Sequence, residues 1–402
     1  MITAKKALLF VIALASVSQV RVLLHKENFY IPKKNHQTEQ NIVVFVHGTV
    51  NSPRTTGQAL KVLRNTLDNS GYDKKTEFMR NDPFFFQSQA IDQLGLIPVD
   101  INNFEYGSAK CLFSHIYDMV AQQAKEGAAT NNNYYTFGWT GTLSKSARLR
   151  GAEKLYKSLQ KEVEYFKNLG IQTRITLVGY SHGGNVCLNL AHLATHSPRK
   201  RPIIDELILL GTPIQKGAYR SIHNSIFKKI YNIYSEKDNV QIMDWFSTDS
   251  LPVRKFIRSK KNKLPTKLKQ IRIRVVETKF NKPTNRSKAI ITEPTHSHLW
   301  FFAWGQYKFE QNSCPLNPVP VGAFLPMITT TADKSQHKNV TIDITLNNGM
   351  IGFEQRDPET MFQALMPGNL ISKFMGNVQD CIPNNYSDEY NQKYSKSIKL
   401  LV

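Results

Sequence analysis

Ile175-Thr176-Leu177-Val178 is a strand-forming apolar run that passes directly into Gly179-Tyr180-Ser181-His182-Gly183-Gly184, and then into Val186, Leu190, Leu193 and Ala194 at helical spacing. A strand, a tight turn and a helix in immediate succession leave the backbone few ways to fold. The turn must reverse direction within a few residues, so Gly179 and Gly183 are small to let the strand and the helix pass closely. Ser181, at the apex, projects away from both. A bare G-x-S-x-G is a common glycine-rich turn, but with the strand before it and the helix after it Ser181 is the expected nucleophile of an acyl-transfer reaction.

Similar apolar runs occur at Ile42 to Val46, Tyr134 to Trp139, Leu207 to Leu210, Ile230 to Tyr234 and Ile271 to Val276. Helix-period segments separate several of them, the clearest being Ala147, Ala152, Leu155, Leu159, Val163 and Phe166. Strands apolar on both faces, alternating with amphipathic helices, predict an α/β domain with a mostly parallel sheet flanked by helices. Its expected span is 41–304, with a polar linker over 25–40 and a C-terminal extension of unassigned role over 305–402. The segment from about 78 to 133 carries Phe84-Phe85-Phe86, Leu94, Leu96, Ile97 and Leu112-Phe113 among polar residues. It is too long for a plain connection and is expected to be a lid-like insertion. A hairpin is expected over Val340 to Phe353, turning on Asn347-Asn348-Gly349, and a last helix near Asp357-Pro358.

Acyl transfer also needs two backbone N–H groups aimed at the developing oxyanion. His182, directly after the serine, supplies one. The strand end Phe45-Val46-His47-Gly48-Thr49 supplies the other at Thr49, because Gly48 permits the tight turn that points the next N–H inward. His47 is assigned a structural role at that turn.

A strand ending in His-Gly-Thr, the Gly179-to-Gly184 elbow, and Leu209-Leu210-Gly211-Thr212-Pro213 together resemble lipases and related esterases of the α/β-hydrolase superfamily. The resemblance runs from about Asn41 to Trp304 and is nearest to compact lipases that lack the two leading strands of the full fold. Phe137-Gly138-Trp139-Thr140-Gly141, followed by Arg148 and Arg150, is similar to lipase-like proteins of the inositol-deacylase kind. The superfamily resemblance implies the order nucleophile, acid, histidine. The acid should follow the strand Ile230 to Tyr234, and Asp238 stands four residues past its end; Glu236, Asp244 and Asp249 are the alternatives. The histidine should follow the last strand, where His296 fits the family spacing better than His298, with Leu299 and Trp300 docking the helix beyond. The implied activity is ester hydrolysis through Ser181, His296 and Asp238, without a cofactor. The same constellation serves acyltransferases, thioesterases and amidases, and a non-catalytic envelope protein on this scaffold is the reading from a different class.

Charge bears on the partner. The 52 Lys and Arg against 31 Asp and Glu give a formal net charge of +21, which favours anionic partners. No zinc-finger spacing and no basic-aromatic RNA motif is present, so nucleic acid is the weakest candidate and an anionic membrane surface a stronger one. Arg254 to Arg274 holds ten Lys and Arg with no acidic residue, read evenly as a solvated loop or an anionic-surface contact. With the aromatic insertion, this suggests a small-molecule or lipid ester. Cys111, Cys187, Cys314 and Cys381 form no metal-ligand cluster, and the His296/His298 doublet lacks a nearby carboxylate for a metal; a Cys314–Cys381 bridge stays open. Met-Ile-Thr-Ala-Lys-Lys followed by the apolar run Ala7 to Val20 resembles an export signal cleaved near Ser16 to Val20, with an uncleaved membrane anchor as the alternative.

Overall fold

The computed structural model describes residues 39–49, 95–102, 109–125, 131–141, 144–196, 201–243, 252–258, 263–281, 286–302, 314–317, 319–347, 350–356 and 362–380. The expected leader, the Phe84-Phe85-Phe86 cluster, Asp244, Asp249 and Cys381 lie outside these residues. Residues 39–402 form one compact unit.

Each of the six apolar runs is a strand: β1 Glu39–Val46, β3 Asn132–Gly138, β4 Gln172–Tyr180, β5 Ile204–Leu210, β6 Phe227–Tyr234 and β7 Leu268–Asn281, with a further strand β2 at Gly95–Val99. They run side by side as β7-β6-β5-β4-β1-β3-β2, all parallel except β2, which pairs antiparallel with β3. Period-two alternation explains why these strands are apolar throughout. In β1, Val43 and Phe45 enter the core on one face of the sheet, while Ile42, Val44 and Val46 enter the core on the other.

Helices cover both faces. α1 (Ala109–Ala124) packs on the first face through Leu112, Phe113, Ile116, Tyr117 and Val120. α2 (Lys145–Asn168), α3 (His182–Leu188) and α4 (Leu190–His196) cover the second. α2 starts where the Ser144 side chain accepts the Ala147 N–H. It stops at Gly170, whose φ of +74° lets its own N–H reach Lys167 O while the Ile171 N–H reaches Phe166 O. Short helices α5 (Ala218–Ser221) and α6 (Val240–Met243) come after β5 and β6.

The structure differs from the expected layout in two places. The described part of the 78–133 insertion is not a cap: β2 extends the sheet and α1 lies in the core, with Phe113 meeting Trp300 at 5.1 Å between ring centres. The described residues of the expected C-terminal extension continue the same sheet and core. After β8 (Arg286–Thr292), the helix α7 (Leu325–Asp333) packs Ile328 and Ala332 into the first core. The strand β9 (Asn339–Asn347) then pairs parallel with β7, and β10 (Met350–Gln355) and β11 (Phe362–Met366) extend the same sheet antiparallel. β9 and β10 form the expected hairpin as an antiparallel pair from Asn347↔Met350 onward, while Asn348 and Gly349 of the expected turn lie outside the described residues. The expected helix start at Asp357-Pro358 lies outside the described residues; the last described helix, α8 (Gly368–Asp380), follows β11.

Cys111, Cys187 and Cys314 are buried, and burial pushes the Cys314 thiol up to about 11 and raises the Cys187 thiol as well, which disfavours the thiolate at both. Half of the basic cluster is bonded within the chain. Lys267 donates to Asn224 O and Phe227 O, Lys269 to Ala332 O and Ser335 O, Arg272 to Glu293, Arg274 to Asp343, and Arg254 to Asp238 O.

Candidate active site

In an open parallel sheet the carboxyl ends of the strands form the natural crevice, deepest where the winding changes direction. Here that point lies between β1 and β4, since the chain goes from β1 outward to β3 and returns to β4 on the other side. Ser181 is the residue that leaves β4 there.

Ser181 has φ +51° and ψ −128°, and among the described residues it alone has a positive φ without being glycine. Such a conformation is costly for a residue with a side chain and persists only where the surroundings impose it. They do so through close approach. Ser181 N–H is held by Leu210 O at 2.9 Å, and Gly184 N–H returns to Ser181 O at 3.0 Å. A Cβ on Gly179 would lie 2.6 Å from Gly184 Cα, and one on Gly183 would lie 2.3 Å from Val46 O and 2.4 Å from His47 O. Both elbow glycines are therefore required by backbone on their open side, and the start of α3 is pressed against the end of β1.

The same contact brings the predicted oxyanion loop to the serine. A Cβ on Gly48 would come within 2.8 Å of Ser181 Cβ. Thr49 is the next residue, and its hydroxyl is buried with no hydrogen-bond partner among the described residues. His182 opens α3 and is buried. His47 is fully buried: Trp139 N–H donates to its Nε2 at 3.1 Å, its Nδ1 is 2.6 Å from Gly48 O, and Trp139 Nε1–H donates back to His47 O at 2.8 Å. It is a brace for the turn, as expected from its position.

Asp238 is four residues beyond β6, fully buried, and its Oδ2 is 2.7 Å from His296 Nδ1. Its other oxygen accepts the Gln241 N–H at 3.3 Å, and the Gln241 side chain donates to Thr212 O at 2.9 Å. With Nδ1–H given to the carboxylate, the imidazole keeps Nε2 as its basic nitrogen. Glu236, the nearest alternative acid, instead faces Arg254 at 3.8 Å. Gly211 (φ +59°) passes beside the pair: a Cβ there would meet Asp238 Oδ2 at 3.2 Å and His296 Nδ1 at 3.4 Å.

His296 is also fixed to the elbow itself. The ring of Tyr180, the residue before Ser181, lies 4.8 Å from the His296 ring, and its hydroxyl donates to His296 O at 3.1 Å. The Tyr180 ring stacks in turn on Trp300, 5.0 Å away and nearly parallel. Leu299 and Trp300 are fully buried as expected, although the chain leaves His296 through a single 3-10 turn, Ser297–Leu299, rather than a helix.

His298 is placed differently. It is buried, and its Nδ1 accepts the Thr295 N–H at 3.1 Å, which fixes it as the Nε2–H tautomer and ties it to its own loop. No group of His, Cys, Asp and Glu among the described residues could hold a metal ion.

Two positioning residues had no signal in the sequence. Tyr180 is the variable residue of the elbow. Glu293 joins three elements: Arg272 of β7 donates to its Oε1, and Ser235 Oγ (3.3 Å) and Glu236 N–H (2.8 Å) donate to its Oε2. It thus couples the loop carrying Asp238 to the loop carrying His296, three residues on. Glu293→Ala frees both loops and is expected to lower kcat by about 10- to 100-fold through misplacement of the pair, with KM for a short soluble ester nearly unchanged. Steady-state kinetics beside Glu293→Gln, which keeps the accepting oxygen and should recover part of the loss, checks this.

The chain matches no family model, no curated protein and no solved structure at a significant level, so the reading of this site rests on its geometry.

Proposed function

We propose that the chain is a serine hydrolase of the α/β-hydrolase fold that cleaves carboxylic esters, lipid-like ones foremost, without a cofactor. One observation carries the reading: a strained serine (φ +51°) at a strand-to-helix turn directly follows Tyr180, whose ring lies 4.8 Å from an imidazole held at 2.7 Å by a buried carboxylate. The strand order supports it, because serine, acid and histidine come after β4, β6 and the β7–β8 pair in sequence.

In this reading His296 Nε2 takes the proton from Ser181 Oγ as the hydroxyl attacks the ester carbonyl. Asp238, shielded from water, holds the imidazolium and its orientation. The N–H groups of His182 and Thr49 receive the charge of the tetrahedral oxyanion, and the Thr49 hydroxyl adds a third donor nearby. His296 returns its proton to the leaving alcohol, and water then resolves the acyl-enzyme by the same steps. A thioester, an amide or an acceptor other than water would use the same residues. A fluorophosphonate should modify Ser181 and no other serine, and an unmodified protein would remove the hydrolase reading.

A further inference from the structure

Beyond the end of β6, β7 pairs on that side with β8, in the register Val276↔Ile291, Thr278↔Ala289 and Lys279↔Lys288, and past Glu277, where its pairing with β9 ends, the two strands continue as a two-stranded antiparallel ribbon. Alternation divides its residues between two faces. One face carries Val276, Ile291, Thr278 and Ala289 and no charge. The other carries Ile290 opposite Glu277 and Lys279 opposite Lys288. Val276, at the root of the ribbon, is buried, and beyond it the uncharged face is open to solvent, with Ile291 54% exposed and Thr278 and Ala289 also exposed.

Two features of the ribbon lack an internal explanation. Exposed isoleucines at neighbouring positions gain nothing for the fold, and like charges directly opposite each other across a strand pair repel. Lys279 meets Glu277 at 3.2 Å, an exposed pair of little worth, and on this face Lys279 and Lys288 still outnumber the one carboxylate. The root of the ribbon lies beside the loop that carries Asp238. Ile291 lines a cleft of about 450 Å³ with Glu236, Lys237, Thr292 and Glu293, between the loop of Asp238 and the strand leading to His296. Val240, two residues past Asp238, is 49% exposed as well.

We infer that the β7–β8 ribbon is a docking surface for an anionic phospholipid bilayer, which it brings to the mouth of the active site. The uncharged face enters the boundary between headgroups and acyl chains, and the lysine stems bend round the ribbon to reach phosphates. The chain's +21 charge complements such a surface. Aliphatic side chains among the cations suit a bilayer better than nucleic acid, whose interfaces are polar. A lysine on the outer strand opposes pairing with another strand, which disfavours a second copy of this chain as the occupant.

This docking rests on the ester-hydrolase reading only for its purpose, and the test separates the two. The full chain carrying Ser181→Ala is co-sedimented with phosphatidylcholine vesicles, with and without phosphatidylglycerol, at rising salt. Binding should require phosphatidylglycerol and decline with salt, and Lys279→Gln/Lys288→Gln should weaken it roughly 30-fold. Ile291→Ser should weaken it several-fold. On the unmodified Ser181 background the same substitutions should leave turnover of a short soluble ester unchanged, which also shows that they fold. Vesicle binding equal to the parent's in both ribbon variants overturns the proposal, as does a ribbon-dependent change confined to DNA or RNA binding or to sedimentation mass. Ribbon-dependent vesicle binding by a chain that hydrolyses no ester keeps the docking surface and removes the hydrolase reading.

Discussion

His296→Ala is expected to lower kcat by about 10⁴-fold or more, while His298→Ala keeps most of its turnover. Two histidines one residue apart have opposite surroundings. His296 gives Nδ1 to a fully buried carboxylate at 2.7 Å and lies against Tyr180 beside the nucleophile. His298 spends Nδ1 on the Thr295 N–H of its own loop. Its removal leaves the part-buried Thr295 N–H without this acceptor, a loss of about 1 kcal/mol in stability rather than in rate. Ser181→Ala should match His296→Ala, because the two act as one unit. Asp238→Ala can lose less, since it removes the orienting group and leaves the base in place. Kinetics of the four variants on one soluble ester, with folding checked by circular dichroism, settles the assignment. Near-normal turnover in folded His296→Ala would move the role to His298.

The second large effect is on stability. Gly183→Ala would place a methyl group 2.3 Å from Val46 O and 2.4 Å from His47 O, both backbone atoms of the central strand end. Neither can swing aside as a side chain could, so the elbow must open or β1 must shift. The expected cost is about 3 kcal/mol, read as a lower urea midpoint at unchanged slope. Gly217→Ala is the control: nothing lies within 4 Å of a Cβ there and its φ is −64°, so the change should be neutral or slightly stabilising. A Gly183→Ala protein as stable as Gly217→Ala would mean that the elbow and β1 are not in contact.

The legibility of each element in the sequence depends on how local its signal is. The six central strands were legible because each is buried on both faces and so writes a continuous apolar run, as in Ile42 to Val46. The β9–β10 hairpin was legible from the Asn347-Asn348-Gly349 signal between its two apolar runs. The insertion was not. Leu112, Phe113, Ile116, Tyr117 and Val120 keep helical spacing, but only contact with Trp300, nearly two hundred residues away, makes that helix core rather than cap. The placement of β9 beside β7 is likewise a long-range pairing that its alternating sequence does not encode. The basic segment misled through composition alone. Arg254, Lys267, Lys269, Arg272 and Arg274 find acceptors from distant elements, so a run of charges without acids nearby was in half its members an internal scaffold. At the site, Ser181, Asp238 and His296 were nameable from motif and order. Glu293 and Tyr180 were not, because positioning depends on which loops meet.

The central claim is that Ser181 is a nucleophile activated by His296. Intact-mass measurement of the protein after exposure to a fluorophosphonate, with peptide mapping and time courses for the parent, Ser181→Ala and His296→Ala, tests it most directly. The expected result is one adduct per parent chain, located on Ser181, no adduct on Ser181→Ala, and labelling of His296→Ala slowed by orders of magnitude. A parent chain that stays unmodified, or one labelled as fast without His296 as with it, would contradict the claim.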